Sequence, residues 1–109
     1  QDSLIQIGIA PHSPYTVSLP LLSQLTSIAK KHQLPLSMHL GESTAESLFF
    51  RDSQGPIATK LYPFVGWQDF LPPAYGKDSI DILLQENLIH HLSAVHLGTA
   101  RPDHLKEFA

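Results

Sequence analysis

Three short apolar runs alternate along the chain with segments that carry helix-start signals, and this alternation constrains the fold more than any other feature. Leu4 to Ala10 (LIQIGIA) is nearly continuous in apolar residues and is closed by Pro11, which suits a strand buried on both faces of a parallel sheet. Ser18 then offers an N-cap, Pro20 falls in the first turn, and Leu21, Leu22, Leu25, Ile28 and Ala29 recur at helical spacing to about Lys31 or His32. In the second run, Leu36, Met38 and Leu40 alternate with Ser37 and His39, giving a strand with one apolar and one polar face. Ser43-Thr44-Ala45-Glu46 reads as a capping box opening a helix with Leu48, Phe49 and Phe50.

From Ser53 to Lys77, prolines, glycines and several aromatics, Trp67 among them, predict a long ordered loop. Asp78 or Ser79 can cap a third helix, IDILLQENLI. The third run, LSAVHLGTA, predicts a strand with Val95 and Leu97 opposite His96, and PDHLKEFA begins another helix. The order strand, helix, strand, helix, loop, helix, strand, helix is the βα grammar of a parallel sheet with right-handed crossovers.

Composition narrows the function classes. At 109 residues, 42% hydrophobic and 16% charged, the chain has the make-up of one globular unit. A net charge of -3 with no basic cluster beyond Lys30-Lys31 argues against nucleic acid or an anionic membrane as partner. The lack of cysteine excludes disulfides, thiolate metal sites and the cysteine-bearing zinc deaminase signature, and is compatible with the reducing cytoplasm expected for it. No apolar run approaches the roughly 20 residues of a membrane span. Phosphate-loop, nucleophile-elbow and H-E-x-x-H patterns are absent.

Seven histidines are many for this length. His12, His39 and His96 fall at or just beyond the C-terminal ends of the three predicted strands, the edge where parallel α/β folds build their sites. One such histidine alone is more often a satisfied core or surface residue; three at equivalent places considerably strengthen the case for a site. Glu42, three residues after His39, can exchange protons with metal-activated water, or can be an exposed carboxylate stabilised by a helix N-terminus. His32, His90, His91 and His104 read as solvated surface residues, and Asp52, Asp69, Asp78 and Asp81 have no partner the sequence identifies.

The combination of APHSPYTVS, LPLSMHLGES with Glu46 downstream, and AVHLGTA resembles the central part of amidohydrolase-superfamily enzymes, in the cytosine deaminase and chlorohydrolase-like branch. That branch includes S-adenosylhomocysteine, methylthioadenosine, guanine and aminodeoxyfutalosine deaminases. The spacing of Glu46, Phe49-Phe50 and Gly55 leans towards the last of these. The resemblance implies a partial (β/α)8 TIM barrel of about three parallel strands, family strands 4 to 6, with residues 1-109 as a single middle segment. It implies His39 as a metal ligand, Glu42 as the proton shuttle that also contacts substrate, His96 as a residue that binds metal or holds the attacking water, and His12 as a substrate contact. The implied cofactor is a divalent metal, zinc foremost and iron as the alternative, incompletely bound here. The implied substrate is a small aminated or halogenated purine-like heterocycle.

Two departures matter. No two histidines are separated by one residue, so the family's H-x-H pair is absent, and no final aspartate can be assigned. A catalytic zinc takes about three protein ligands and a whole barrel about 250 residues. The isolated chain is therefore expected to be inactive, and to form a homo-oligomer, pair with remaining barrel segments or be marginally stable. The competing expectation is a non-catalytic α/β association module whose histidines are structural.

Overall fold

The computed structural model describes residues 5–108. Leu4, where the first predicted strand begins, lies outside them. Two parallel strands, β1 (Leu36–Leu40) and β2 (Leu92–His96), pair in register from Leu36 opposite Leu92 to Leu40 opposite His96. The helices are α1 (Leu19–His32), α2 (Thr44–Asp52), α3 (Tyr62–Phe64), α4 (Ser79–Gln85) and α5 (Pro102–Glu107). The chain is thus α/β, with helical segments in the crossover from β1 to β2. Among the described residues no helix is long and apolar enough to cross a membrane.

Local chemistry sets the helix ends. The Ser18 hydroxyl accepts the Leu21 N–H to start α1, and Gln33, in the left-handed region at φ 55°, ends it by donating to Ala29 and Lys30. Lys30, Lys31 and His32 lie in the last turn, where the helix dipole favours positive charge. Asp78 caps α4 by accepting the Asp81 N–H at 3.0 Å.

Leu22 and Ala29 of α1, Leu36, Met38 and Leu40 of β1, and Ile80 and Leu83 of α4 form the main core with Leu88, Ile89 and Leu92. Fully burying a leucine or isoleucine side chain is worth about 1.5–3 kcal/mol, so this layer fixes β1 firmly beneath the site.

The first predicted strand is corrected. Its hydrogen bonding to β1 is limited to one parallel bridge, Ile9 opposite Leu36, with Ile9 N–H donating to Pro35 and accepting from the Ser37 N–H through its carbonyl. Ile5 and Ile7 are 69% and 65% exposed rather than buried, because only β1 flanks this segment among the described residues. A hydrophobic run reads the burial a sheet would supply, and one neighbour supplies half of it.

The connection predicted as a loop is helical over part of its length: a π-turn over Ile57–Leu61 leads into α3, followed by a 3-10 turn over Gln68–Phe70. Phe49, Phe50, Ile57, Ala58, Tyr62 and Ile82 make a second apolar cluster there, and the Tyr62 hydroxyl donates to the Tyr15 carbonyl at 2.8 Å. Burial pushes the Tyr62 phenol up.

Candidate functional site

His39 is on the polar face of β1, exposed, between the buried Met38 and Leu40. Its Nδ1 lies 3.2 Å from the His12 carbonyl oxygen, and its backbone N–H donates to the same carbonyl at 3.1 Å. A carbonyl can only accept, so Nδ1 carries the proton and the neutral ring keeps a lone pair on Nε2. A backbone acceptor that fixes the tautomer and leaves the other nitrogen free is the usual support of a metal-binding histidine.

His12 lies just before the turn that leads into α1. Its Nδ1 is 2.9 Å from the Thr16 hydroxyl, its ring meets Tyr15 edge-on at 5.9 Å, and its ring centroid is 5.6 Å from that of His39. Thr16 is itself held by its backbone N–H and hydroxyl to the Ser13 carbonyl. The histidine between prolines thus contributes twice, through its ring and through the carbonyl that orients His39.

His96 reaches the same place by a different route. Strand register pairs His39 with Val95 and Leu40 with His96, so regular alternation would put the His96 side chain on the core face with Leu40. Instead His96 adopts φ 82° and Leu97 φ 54°, both in the left-handed region uncommon for residues with a side chain. The break in alternation brings the His96 ring into a stack on His39, centroids 5.2 Å apart and planes at 29°. His96 Nε2 is 3.0 Å from Glu42 Oε1, with both side chains a little under half exposed. Val95, expected on the face opposite His96, is 42% exposed.

The four residues singled out from sequence, His12, His39, Glu42 and His96, are therefore gathered at the C-terminal edge of the sheet. His39 and His96 bring two imidazoles beside the Glu42 carboxylate, with His96 Nε2 engaged by Glu42 and His39 Nε2 left as a nitrogen that could ligate a metal.

Glu46, His104, Asp81 and His91 carry roles the sequence reading missed. Glu46 does not close its expected capping box: Ser43 accepts the Glu46 N–H, but the Glu46 carboxyl turns inward, fully buried, to accept the Gly41 N–H at 2.7 Å and the Ser79 hydroxyl. Burial pushes this carboxyl up against the opposing pull of those hydrogen bonds. His104, expected at the surface, is fully buried; its Nδ1 accepts the Arg101 N–H and its Nε2 donates to Asp81 at 2.7 Å. Arg101 also bonds Asp81 at 2.9 Å and Asp103 at 3.2 Å. The burial of Asp81 acts to raise its pKa, but the hydrogen bonds and charge of Arg101 and His104 prevail and hold it at about 2. His91, also expected to be solvated, bonds the Leu34 carbonyl at 3.0 Å, while His32 and His90 are exposed as expected.

Among the described residues, the group of three that places ligand atoms within 4.8 Å of one another is Asp78, Asp81 and His104. The Arg101 guanidinium already supplies the positive charge there, so the group is a structural latch between α4 and α5. Its signal in the sequence was the spacing Arg101-x-x-His104, a helix start whose third residue can reach back to the first.

Beside His12, Tyr15, Phe49, Phe50, Tyr62, Trp67 and Phe70 help to line an apolar cavity of about 460 Å³ that Thr16 also borders. The aromatic content of the 53–77 connection thus forms a wall next to the histidines.

No family model matches the chain. It is 42% identical over 60 residues to the 5-methylthioadenosine/S-adenosylhomocysteine deaminase of Syntrophobacter fumaroxidans, a match covering 53% of this chain and 14% of that protein. It is 27% identical over 103 residues to the aminodeoxyfutalosine deaminase of Deinococcus radiodurans, covering 90% of this chain and 22% of the relative. To the 5'-deoxyadenosine deaminase of Methanocaldococcus jannaschii it is 32% identical over 69 residues, covering 63% and 15% respectively. The chain spans between about a seventh and about a fifth of the length of these relatives, and all three are named as deaminases of nucleoside-like compounds.

Proposed function

We propose that the chain is the middle segment of a hydrolytic deaminase of the amidohydrolase superfamily, covering three successive βα units of a (β/α)8 barrel and acting on a purine-like nucleoside. The observation that carries this reading is the convergence of His12, His39, Glu42 and His96 at one sheet edge. The partial matches to nucleoside deaminases support the same chemistry.

In this reading His39 and His96 hold a divalent ion, zinc or alternatively iron, together with ligands from outside the segment. When bound, such an ion acidifies a coordinated water and makes it a nucleophile near neutral pH. Glu42 takes up a proton at its carboxylate and delivers it to the departing amino group, a role its placement beside His96 and its partial exposure allow. His12 holds the heterocycle, its ring steadied by Thr16 and Tyr15. Ordering the substrate against these groups supplies part of the rate. The segment alone, with two histidine ligands, is inactive, and its uncovered apolar edge at Ile5 and Ile7 pairs with remaining barrel strands or with another copy. The substrate is a small molecule, nucleic acid and membrane are not partners, and the setting is cytoplasmic.

The test is metal content and ammonia release from 5'-methylthioadenosine, measured on the longer protein that carries the segment. His39→Ala should lose the metal, whereas Glu42→Gln should keep it and lower kcat by about 10²–10⁴-fold. A protein that binds no metal and whose rate is unchanged by Glu42→Gln would leave the association-module reading in its place.

A further inference from the structure

Glu46 has no part in the chemistry above, yet its burial is unusual. The carboxyl is fully enclosed; one oxygen accepts from the Gly41 N–H and the Ser79 hydroxyl, and the other, Oε1, is buried with no hydrogen-bond partner. Burying a carboxyl so incompletely satisfied is costly, and an apolar side chain would fill the space at less cost.

What the carboxyl holds explains its presence. Gly41 is the hinge between β1 and Glu42, with φ 64°, and a Cβ there would lie 3.0 Å from Ile80 Cδ1 and 3.1 Å from Thr99 Oγ1. Its N–H is taken by Glu46 and its carbonyl accepts the Thr99 N–H at 3.1 Å. The turn is thus tied to α2 and α4 through Glu46 and to the segment after β2 through Thr99. Glu42 is the next residue, and its carboxylate reaches across to His96.

We propose that Glu46 is a positioning residue: by clamping the Gly41 amide to the Ser79 hydroxyl, it fixes the turn that aims Glu42 at His96. The inference deepens the site reading above and, as a statement about catalysis, rests on the role given there to Glu42. Its geometric content stands apart from catalysis, so the experiment reads geometry first.

The test is NMR on the metal-free protein, measuring the Glu42 χ1 couplings and the cross-peak between Glu42 Hγ and His96 Hε1. In the wild type a single Glu42 rotamer and a clear cross-peak are expected. Glu46→Ala, folded by circular dichroism, should average the rotamer and lose the cross-peak, while Glu46→Gln, which keeps an acceptor for Gly41 and Ser79, should restore both. In the longer protein, Glu46→Ala should lower kcat by roughly 10–100-fold with KM within about twofold, the signature of a misplaced group rather than lost binding. A folded Glu46→Ala variant with wild-type Glu42 couplings and cross-peak would overturn the proposal. If Glu46→Ala does not fold, Ser79→Ala decides: a partial loss of the cross-peak supports it and an unchanged spectrum overturns it. Failure of the site reading looks different: the NMR changes persist while Glu42→Gln leaves ammonia release unaltered.

Discussion

Glu46 and Asp81 occupy the same place in two helices. Each is the third residue of its helix, and each donates its backbone N–H to the N-cap side chain, Ser43 for α2 and Asp78 for α4. Their carboxyls nevertheless end in opposite states. Glu46 is fully buried among neutral donors with one oxygen unpartnered and its pKa pushed up, whereas Asp81 faces Arg101 and His104 and is held at about 2. The helix dipole acts on both alike, so the difference comes from what lies across from each. At α4 a carboxylate joins two helices and supports the fold. At α2 a carboxyl is set into the core to hold a turn, and stability is lower for it.

The largest effect is expected from Asp81→Ala. It removes the acceptor of the buried His104 and the main partner of Arg101, and should destabilise the chain by about 2–4 kcal/mol in urea unfolding, a loss typical of a buried charge-assisted pair. A change below about 1 kcal/mol would mean that α4 and α5 are held by packing alone.

The two carboxyls should also give opposite pH dependences of stability. Asp81 has a folded pKa below its ordinary 3.8, so its contribution is complete above that value and is lost as pH falls towards about 2. Glu46 is shifted the other way: its contribution is greatest when protonated and is lost as pH rises from its ordinary 4.5 through the raised folded value. The urea midpoint of Asp81→Asn should therefore fall less steeply below pH 4 than that of the wild type. Glu46→Gln should change stability by no more than about 1 kcal/mol near pH 7 and should remove the loss on the rising side. Parallel midpoint curves for all three proteins would show that the two carboxyls do not differ in what they contribute to stability.

The smallest effect is expected at Asp103. It bonds Arg101 and its pKa is lowered, as at Asp81, but it is exposed, and screened surface pairs contribute little. Asp103→Asn should unfold at the wild-type midpoint. A drop comparable to that of Asp81→Ala would show that Arg101, rather than burial of His104, carries the latch.

The elements legible in the sequence were those whose signals are local. Ser18, Ser43 and Asp78 mark helix starts that the structure keeps, and the alternation of Leu36, Met38 and Leu40 with His39 gives β1 its two faces. The gathering of His12, His39, Glu42 and His96 was legible as a shared strand-end position. The burial of His104 was not, since it depends on Asp81, 23 residues away, meeting it across two helices. Nor was the inward turn of Glu46, because the same four residues satisfy a capping box until Gly41 and Ser79 compete for the carboxyl. The Leu4 to Ala10 run signalled its own apolarity but not how many neighbours it has.

The left-handed backbone at His96 bears on how such a chain changes over time. Glycine or asparagine would sit in that conformation at lower energy, so at this position the requirement for a folded chain and the requirement for an imidazole pull towards different residues. A copy released from its chemistry could drift to glycine there with a gain in stability. The residue at 96 is thus a compact record of whether a sequence of this kind still answers to its site.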